Sequence, residues 1–409
     1  MYLLINIIGL AVFLGIAVLF SRNRKEIHWK SVVILVVVNL FLAWFFVFFP
    51  WGNWFVSKMA DGISWVIESA NAGTGFAFAS FVNQKQMDMA ISALFPILLV
   101  VPLFDILMYL NILPKFIGAV GWLLAKVTRQ PKFESFFGIE MMFLGNTEAL
   151  AVSSEQLKRM NEVRVLTIAM MSMSSVSGAI VGAYVTMIPG ELVLTAIPLN
   201  IINAIIVTSI LNPVSVEERE DIIYNLKEEG AQRQPFFSFL GDSVINAGKL
   251  VLIIIAFVIS FVALADLLDR FINLITGIIG GWIHVKGSFG LNQILGVFMY
   301  PFALLLGLPW DTAWIVAQQM AKKIVTNEFV VMGQISDVVK SYDPHRRAVI
   351  STFLVSFANF STIGMIVGTL KGIVNQKTSD FVSKYVPMML LSGILVSLLT
   401  AAFVGLFAW

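Results

Sequence analysis

Six stretches that read as spans carry no charged side chain: Met1–Phe20, Ser31–Trp51, Val165–Gly190, Leu192–Val216, Ala348–Leu370 and Tyr385–Trp409. A helix needs about 20 residues to cross the roughly 30 Å hydrocarbon core of a bilayer, so runs of this length predict membrane spans. Two more qualify with a blemish each. Met89–Pro114 is interrupted by Asp105, and Leu250–Ala265 is short but extends through Ile245 and Lys249. Eight spans are therefore predicted, in an all-α polytopic membrane protein. Composition agrees, since 13% of residues are charged against about 25% in soluble domains. This excludes a soluble enzyme, and a net charge of +2 offers no basic field for nucleic acid. Without cysteine, and with only His28, His284 and His345 scattered along the chain, no metal cluster is expected.

Basic clusters orient the spans. Arg22, Arg24, Lys25 and Lys30 follow the first apolar run, which lacks the basic start and small-residue cleavage site of a signal peptide. They direct the first loop to the cytoplasm and leave the N-terminus outside. Lys115, Lys126, Arg129 and Lys132, then Lys158, Arg159 and Arg164, then Lys371, Lys377 and Lys384 fall on the same side if eight spans alternate. Arg346 and Arg347 are the exception. Both termini are expected outside, in a bacterial plasma membrane. Trp51, Trp54 and Trp65, mixed with Lys58, Asp61, Glu68, Lys85 and Asp88, suit helices at the interface. Ser215–Gln234 holds six acidic and three basic residues and reads as a solvated connection.

Two segments are too polar to cross simply. In Phe133–Met160 the apolar Met141–Gly145 meets Asn146-Thr147-Glu148, and in Asp311–Lys340 the run Ala313–Met320 gives way to Lys322, Lys323 and Thr326-Asn327-Glu328. Non-helical backbone at membrane depth requires cover from protein or a water-filled cavity, so two re-entrant hairpins are expected. Gly178-Ala179-Ile180-Val181-Gly182 and Gly364-Met365-Ile366-Val367-Gly368 begin 30 and 36 residues beyond their respective glutamates. One further span follows in each half. A hairpin–span–span unit used twice predicts an inverted-repeat transporter with its substrate site between the repeats.

A carboxylate at membrane depth costs about 2.5–3.5 kcal/mol by the lower estimates, so Glu148 and Glu328 are expected to face a cavity or a partner. They either accept hydrogen bonds from an uncharged polar substrate or hold a hairpin tip by an ion pair, for instance with Lys323. Asn359 and Thr362, three residues apart, share a helix face; Asn359 either bonds a neighbouring helix or joins the site. Phe357 is either lipid-facing bulk or a wall for a flat ring. Carboxylate, amide, hydroxyl and aromatic wall together suit a sugar-like or nucleoside-like substrate.

Gly145-Asn146-Thr147-Glu148, Thr326-Asn327-Glu328-Phe329 and Ser356-Phe357-Ala358-Asn359-Phe360-Ser361 resemble the signatures of the concentrative nucleoside transporter family, over roughly Phe133 to Gly372. The resemblance implies a homotrimer in the lipid bilayer, each protomer with eight spans, two re-entrant hairpins and interfacial helices, working as an elevator. It also implies that the charge-free Gly287–Trp310 is an interfacial helix and not a ninth span, mirroring Phe116–Arg129. Asn146, Thr147 and Glu148 would then meet the nucleobase with Ile180 beside it. Glu328, preceded by Asn327, would bind the ribose hydroxyls with Asn359 and Thr362, and Phe357 would lie against the ligand. Residues 1–130 would be mainly scaffold and 131–214 the first transport repeat. Residues 215–310 would supply a connection, span six and an interfacial helix, and 311–409 the second repeat.

Two departures from the family pattern matter. Asn146 stands where members have glutamine; being one methylene shorter it deepens the base pocket, which favours purine nucleosides. Met141 stands where sodium-coupled members have an asparagine, and a thioether is a poor ligand for a hard cation. Ser175 and the carbonyl of Val176 remain at that sodium site. The expected coupling ion is therefore the proton, carried by Glu148 or Glu328, with sodium as the alternative and no cofactor. A membrane-embedded enzyme using the two glutamates as an acid–base pair is the competing class, but no H-E-x-x-H, P-loop or nucleophile elbow accompanies them.

Overall fold

The computed structural model describes residues 1–79, 88, 90–216, 221–223, 234–283 and 290–409. Lys85, His284, residues 287–289 and most of the polar connection at 217–233 lie outside the described residues. Every regular element described is helical. The first two runs form α1 (Tyr2–Leu19) and α2 (Trp29–Val47). Pro50 opens α3 (Pro50–Ala77) in the first turn, where a missing N–H costs nothing, and Trp51, Trp54 and Trp65 are exposed along it. The third run gives a π-helical turn at Ala90–Leu94 and then α4 (Ile97–Tyr109). Its one charge, Asp105, accepts a hydrogen bond from the Ser243 hydroxyl. Next come α5 (Ile112–Thr128), α6 (Lys132–Leu144), α7 (Asn146–Val152) and α8 (Ser154–Arg159). They are followed by α9 (Glu162–Ser172), α10 (Gly178–Met187) and α11 (Gly190–Leu211).

The short sixth run is the middle of α12 (Phe236–Ile283), 48 residues long and so about 72 Å. The charge-free Gly287–Trp310 yields α13 (Leu291–Leu305), whose 15 residues reach only about 22 Å and cannot cross. The chain continues through α14 (Trp310–Val325), α15 (Glu328–Ile335), α16 (Pro344–Leu354), α17 (Phe360–Ile373), α18 (Gln376–Lys384) and α19 (Val386–Gly405). Among the described residues, six helical stretches are long and apolar enough to cross a membrane: α1, α2, Ala90–Tyr109, α11, α12 and α19.

The fourth and seventh apolar runs are missing from those six, which corrects the expectation of continuous spans. Each is two half-helices about an unwound segment, α9 and α10 about Met173–Ser177 and α16 and α17 about Val355–Asn359. The cause is local side-chain chemistry. Ser174 and Ser175 donate their hydroxyls to the carbonyls of Met171 and Ser172, three residues back, in competition with the helical ladder. In the second break the Ser356 hydroxyl accepts from the amide of Ala358, and Asn359 caps α17 by accepting from the amide of Thr362.

A buried polar ladder pays for the second break. Asn39 of α2 donates to Asn203 of α11 at 2.8 Å, Asn203 to Thr400 of α19 at 2.9 Å, and Thr400 to Asn200 at 2.6 Å. Asn200 in turn donates to the carbonyl of Val355, the first unwound residue. Lys323, fully buried, donates to the carbonyl of Phe353 at 3.3 Å and to Ser397 at 3.2 Å. A lysine at a helix C-terminus satisfies carbonyls that have lost their ladder partners. Among the described residues no direct ion pair joins Lys323 to Glu328, and the hydrogen bonds of the lysine go to the break.

Candidate functional site

The two helical pairs meet the two breaks at one place. The first pair, α6 and α7, turns at Gly145, whose φ of 88° and ψ of 175° lie in a region open essentially to glycine alone. A Cβ there would stand 2.8 Å from the Cβ of Ser177 in the first break, so tip and break are in close approach. The second pair, α14 and α15, turns at Thr326-Asn327. Asn327 caps α15 by accepting from the amide of Val330 at 3.1 Å, which leaves Glu328 in the first turn of its helix.

Glu328 is 2% exposed and held both from α10 and from the second break. Its Oε1 accepts from the Tyr184 hydroxyl of α10 at 2.9 Å, and its Oε2 from the Asn359 amide of the second break at 3.2 Å. Asn359 is itself fixed: its Oδ1 accepts from the Ser361 hydroxyl at 2.6 Å and from the amide and hydroxyl of Thr362, each at 3.0 Å. The ring of Phe329 meets that of Tyr184 edge-on at 5.2 Å. On the facing tip, the Asn146 amide donates to the carbonyl of Ser172 at 3.4 Å, and its oxygen accepts from the amide of Thr147 at 2.8 Å. Glu148 is exposed, and among the described residues no hydrogen bond or ion pair reaches its side chain.

Between these groups lies a cavity with about 660 Å³ of empty space, counted to its open mouth. The residues singled out from sequence all border it: Asn146, Thr147, Glu148, Ile180, Asn327, Glu328, Phe357, Asn359 and Thr362. Phe357 is buried against the cavity and not exposed to lipid. The structure adds what sequence reading missed. Ser177, Phe329, Ser361 and Met365 also border the cavity, and Leu250, Ile253, Ile254 and Phe257 of α12 close one side with an apolar wall. Tyr184 was missed as well, although a tyrosine in a charge-free run is itself a signal, since its buried hydroxyl needs a partner.

The three positions matched to the sodium site cluster behind the first tip. Met141 is fully buried with its sulfur 3.6 Å from the Ser172 hydroxyl, which donates to the Ile168 carbonyl at 2.9 Å; the Ser175 hydroxyl donates to the Ser172 carbonyl at 3.3 Å, and Val176 is buried beside them. That Ser172 carbonyl already takes the Asn146 amide as well.

Comparison with known proteins agrees with this geometry. The family model described as "Na+ dependent nucleoside transporter C-terminus" matches residues 192–405, and its N-terminal counterpart matches residues 8–81. The chain is 45% identical over 409 residues to the purine nucleoside transport protein NupG of Bacillus subtilis, covering 100% of both. It is 27% identical to the nucleoside permease NupC of Helicobacter pylori, covering 99% of this chain and 97% of that one. Among solved structures it resembles CNTnw in an inward-facing substrate-bound state, with a TM-score of 0.89 and 27% identity over 100% of this chain and 98% of that one. A CNTnw double variant in an outward-facing state gives a TM-score of 0.90 and 26% identity, covering 100% and 99%. The chain is a multi-pass membrane transporter and not an enzyme, and it belongs to the concentrative nucleoside transporter family.

Proposed function

We propose that this protein imports nucleosides by proton symport, with a preference for purine nucleosides. The observation that carries the reading is the pair of unlike glutamates across one cavity. Glu328 is locked by Tyr184 and Asn359, while Glu148 keeps its acceptor capacity for a ligand. The locked side suits the ribose, whose vicinal 2′ and 3′ hydroxyls donate to a carboxylate of fixed position. Thr362 spends its hydroxyl on Asn359 and so acts from behind it. The open side, Asn146, Thr147 and Glu148 with Ile180, suits a base of variable outline, and Phe357 offers a face to the ring. The shorter Asn146 and the similarity to a purine nucleoside transport protein both support the purine preference.

Proton coupling rests on Met141. Where a sodium site would use an amide oxygen, this chain presents the thioether sulfur of Met141, a soft ligand for a hard ion. Glu148 and Glu328 are the candidate carriers. Sodium coupling is the second reading, favoured by the name of the matching family model. In the architecture that accompanies this function, spans four and seven are the broken ones and α6–α7 and α14–α15 are re-entrant hairpins. The transport repeats at 131–214 and 311–409 move as elevators against the scaffold of a homotrimer. Both termini face outward from a bacterial plasma membrane.

Uptake of inosine and uridine into proteoliposomes tests this. An inward proton gradient without sodium is expected to drive uphill accumulation, of inosine more than uridine. Accumulation with sodium alone overturns the coupling assignment, and uridine in excess overturns the purine preference.

A further inference from the structure

A second cavity, larger than the first, lies behind the first helical pair, between α5 and α6–α7. It has about 1390 Å³ of empty space counted to its mouth. Trp122 of α5 and Phe133 and Phe136 of α6 supply aromatic surface. Glu140 of α6, 3% exposed, borders it as well. One of its oxygens accepts from the Ser153 hydroxyl at 3.0 Å; among the described residues no other hydrogen bond and no ion pair reaches this carboxylate. The charged groups around it are engaged elsewhere. Lys132, two turns or about 12 Å away along α6, is paired with Asp221. Glu134 faces Arg164 at 2.8 Å, and Glu155 of α8 pairs with Lys158.

A neutral glutamine would bond Ser153 equally well. A carboxylate buried beside a single hydroxyl lacks the compensating charge that such groups ordinarily have. Its chemistry calls for a cation, and the aromatic surface in front of it calls for an apolar body. We propose that this cavity binds a small organic cation, a protonated amine carrying an aromatic or aliphatic group, with the ammonium on Glu140 and the body against Trp122 and Phe136. The site is separate from the nucleoside cavity. The two have no bordering residue in common, and α6 and α7 run between them.

The test is titration of the purified full-length protein with 2-phenylethylammonium, read by intrinsic tryptophan fluorescence, which Trp122 reports, with and without saturating inosine. Saturable binding that persists with inosine is expected. E140Q, which keeps the Ser153 bond, is expected to weaken it roughly tenfold or more, the effect of losing a hydrogen bond to a charged group. G118L is a second variant that leaves Glu140 intact. Gly118 borders the cavity, and a Cβ there meets nothing within 4 Å, so the added side chain fills the cavity and is expected to abolish binding. Retained inosine binding by each variant shows that it is folded, and if E140Q is not folded, G118L decides. Absence of saturable binding by the wild type, displacement by inosine, or wild-type affinity in the folded variants overturns the proposal.

Discussion

The two tips, at Gly145 and at Thr326-Asn327, each bring a glutamate to the same cavity, yet they are built differently. At the second, Asn327 caps a helix and Glu328 is buried with both oxygens engaged. At the first, the turn is made by a glycine at positive φ, and Glu148 stands exposed with no protein partner among the described residues. One tip is preorganised and the other adaptable. A rigid group costs little entropy when it meets an invariant part of a ligand, and an adaptable one accommodates a part that varies. On the proposed reading the rigid tip meets the sugar, which varies little between nucleosides, and the adaptable tip meets the base, which varies in outline.

The sharpest way to break this contrast is to neutralise each glutamate in turn. E328Q places an amide N–H against the Tyr184 hydroxyl or the Asn359 amide. Nucleoside affinity is expected to fall about 100-fold, corresponding to about 3 kcal/mol for two charge-assisted bonds. E148Q disturbs no protein partner and is expected to cost about tenfold, with thermal stability unchanged. Equilibrium binding and melting of the purified variants check both, and equal losses would end the distinction between the tips. Y184F removes a single donor from Glu328; affinity is expected to drop about tenfold, or about 1.5 kcal/mol, and melting to fall with it. A Y184F protein that binds as tightly as the wild type would mean that Glu328 does not depend on its bond from α10. N146Q gives the smallest effect. It lengthens the adaptable tip by one methylene, and the inosine-to-uridine affinity ratio is expected to fall about fivefold, near the low end of what one methylene discriminates. A rise in that ratio would reverse the depth argument.

Much of this was legible in the chain because it is written locally. Charge-free runs mark the long helices, and polar residues inside apolar surroundings mark the tips, since both follow from the cost of exposing charge or backbone to lipid. The nine residues nominated for the site do surround one cavity. The breaks were not legible, because an apolar run has the same hydropathy straight or unwound; only the serines at 174, 175 and 356 hint at them. Partners far apart in sequence were hidden too. Tyr184 meets Glu328 across 144 positions, and Lys323, one of two alternatives for a partner of Glu328 in the sequence, also donates to the carbonyl of Phe353 near the end of α16.

Asn359 is at once a piece of scaffolding and a piece of the site. Its oxygen terminates α17 and its nitrogen steadies Glu328. Aspartate keeps the oxygen but sets a second negative charge against Glu328. Serine and threonine cap helices well but cannot reach with a donor in the opposite direction. Glutamine has both groups at the wrong length for a cap. The position therefore offers no compromise between folding and recognition, and an engineer seeking altered specificity gains more freedom at the exposed first tip than at this asparagine.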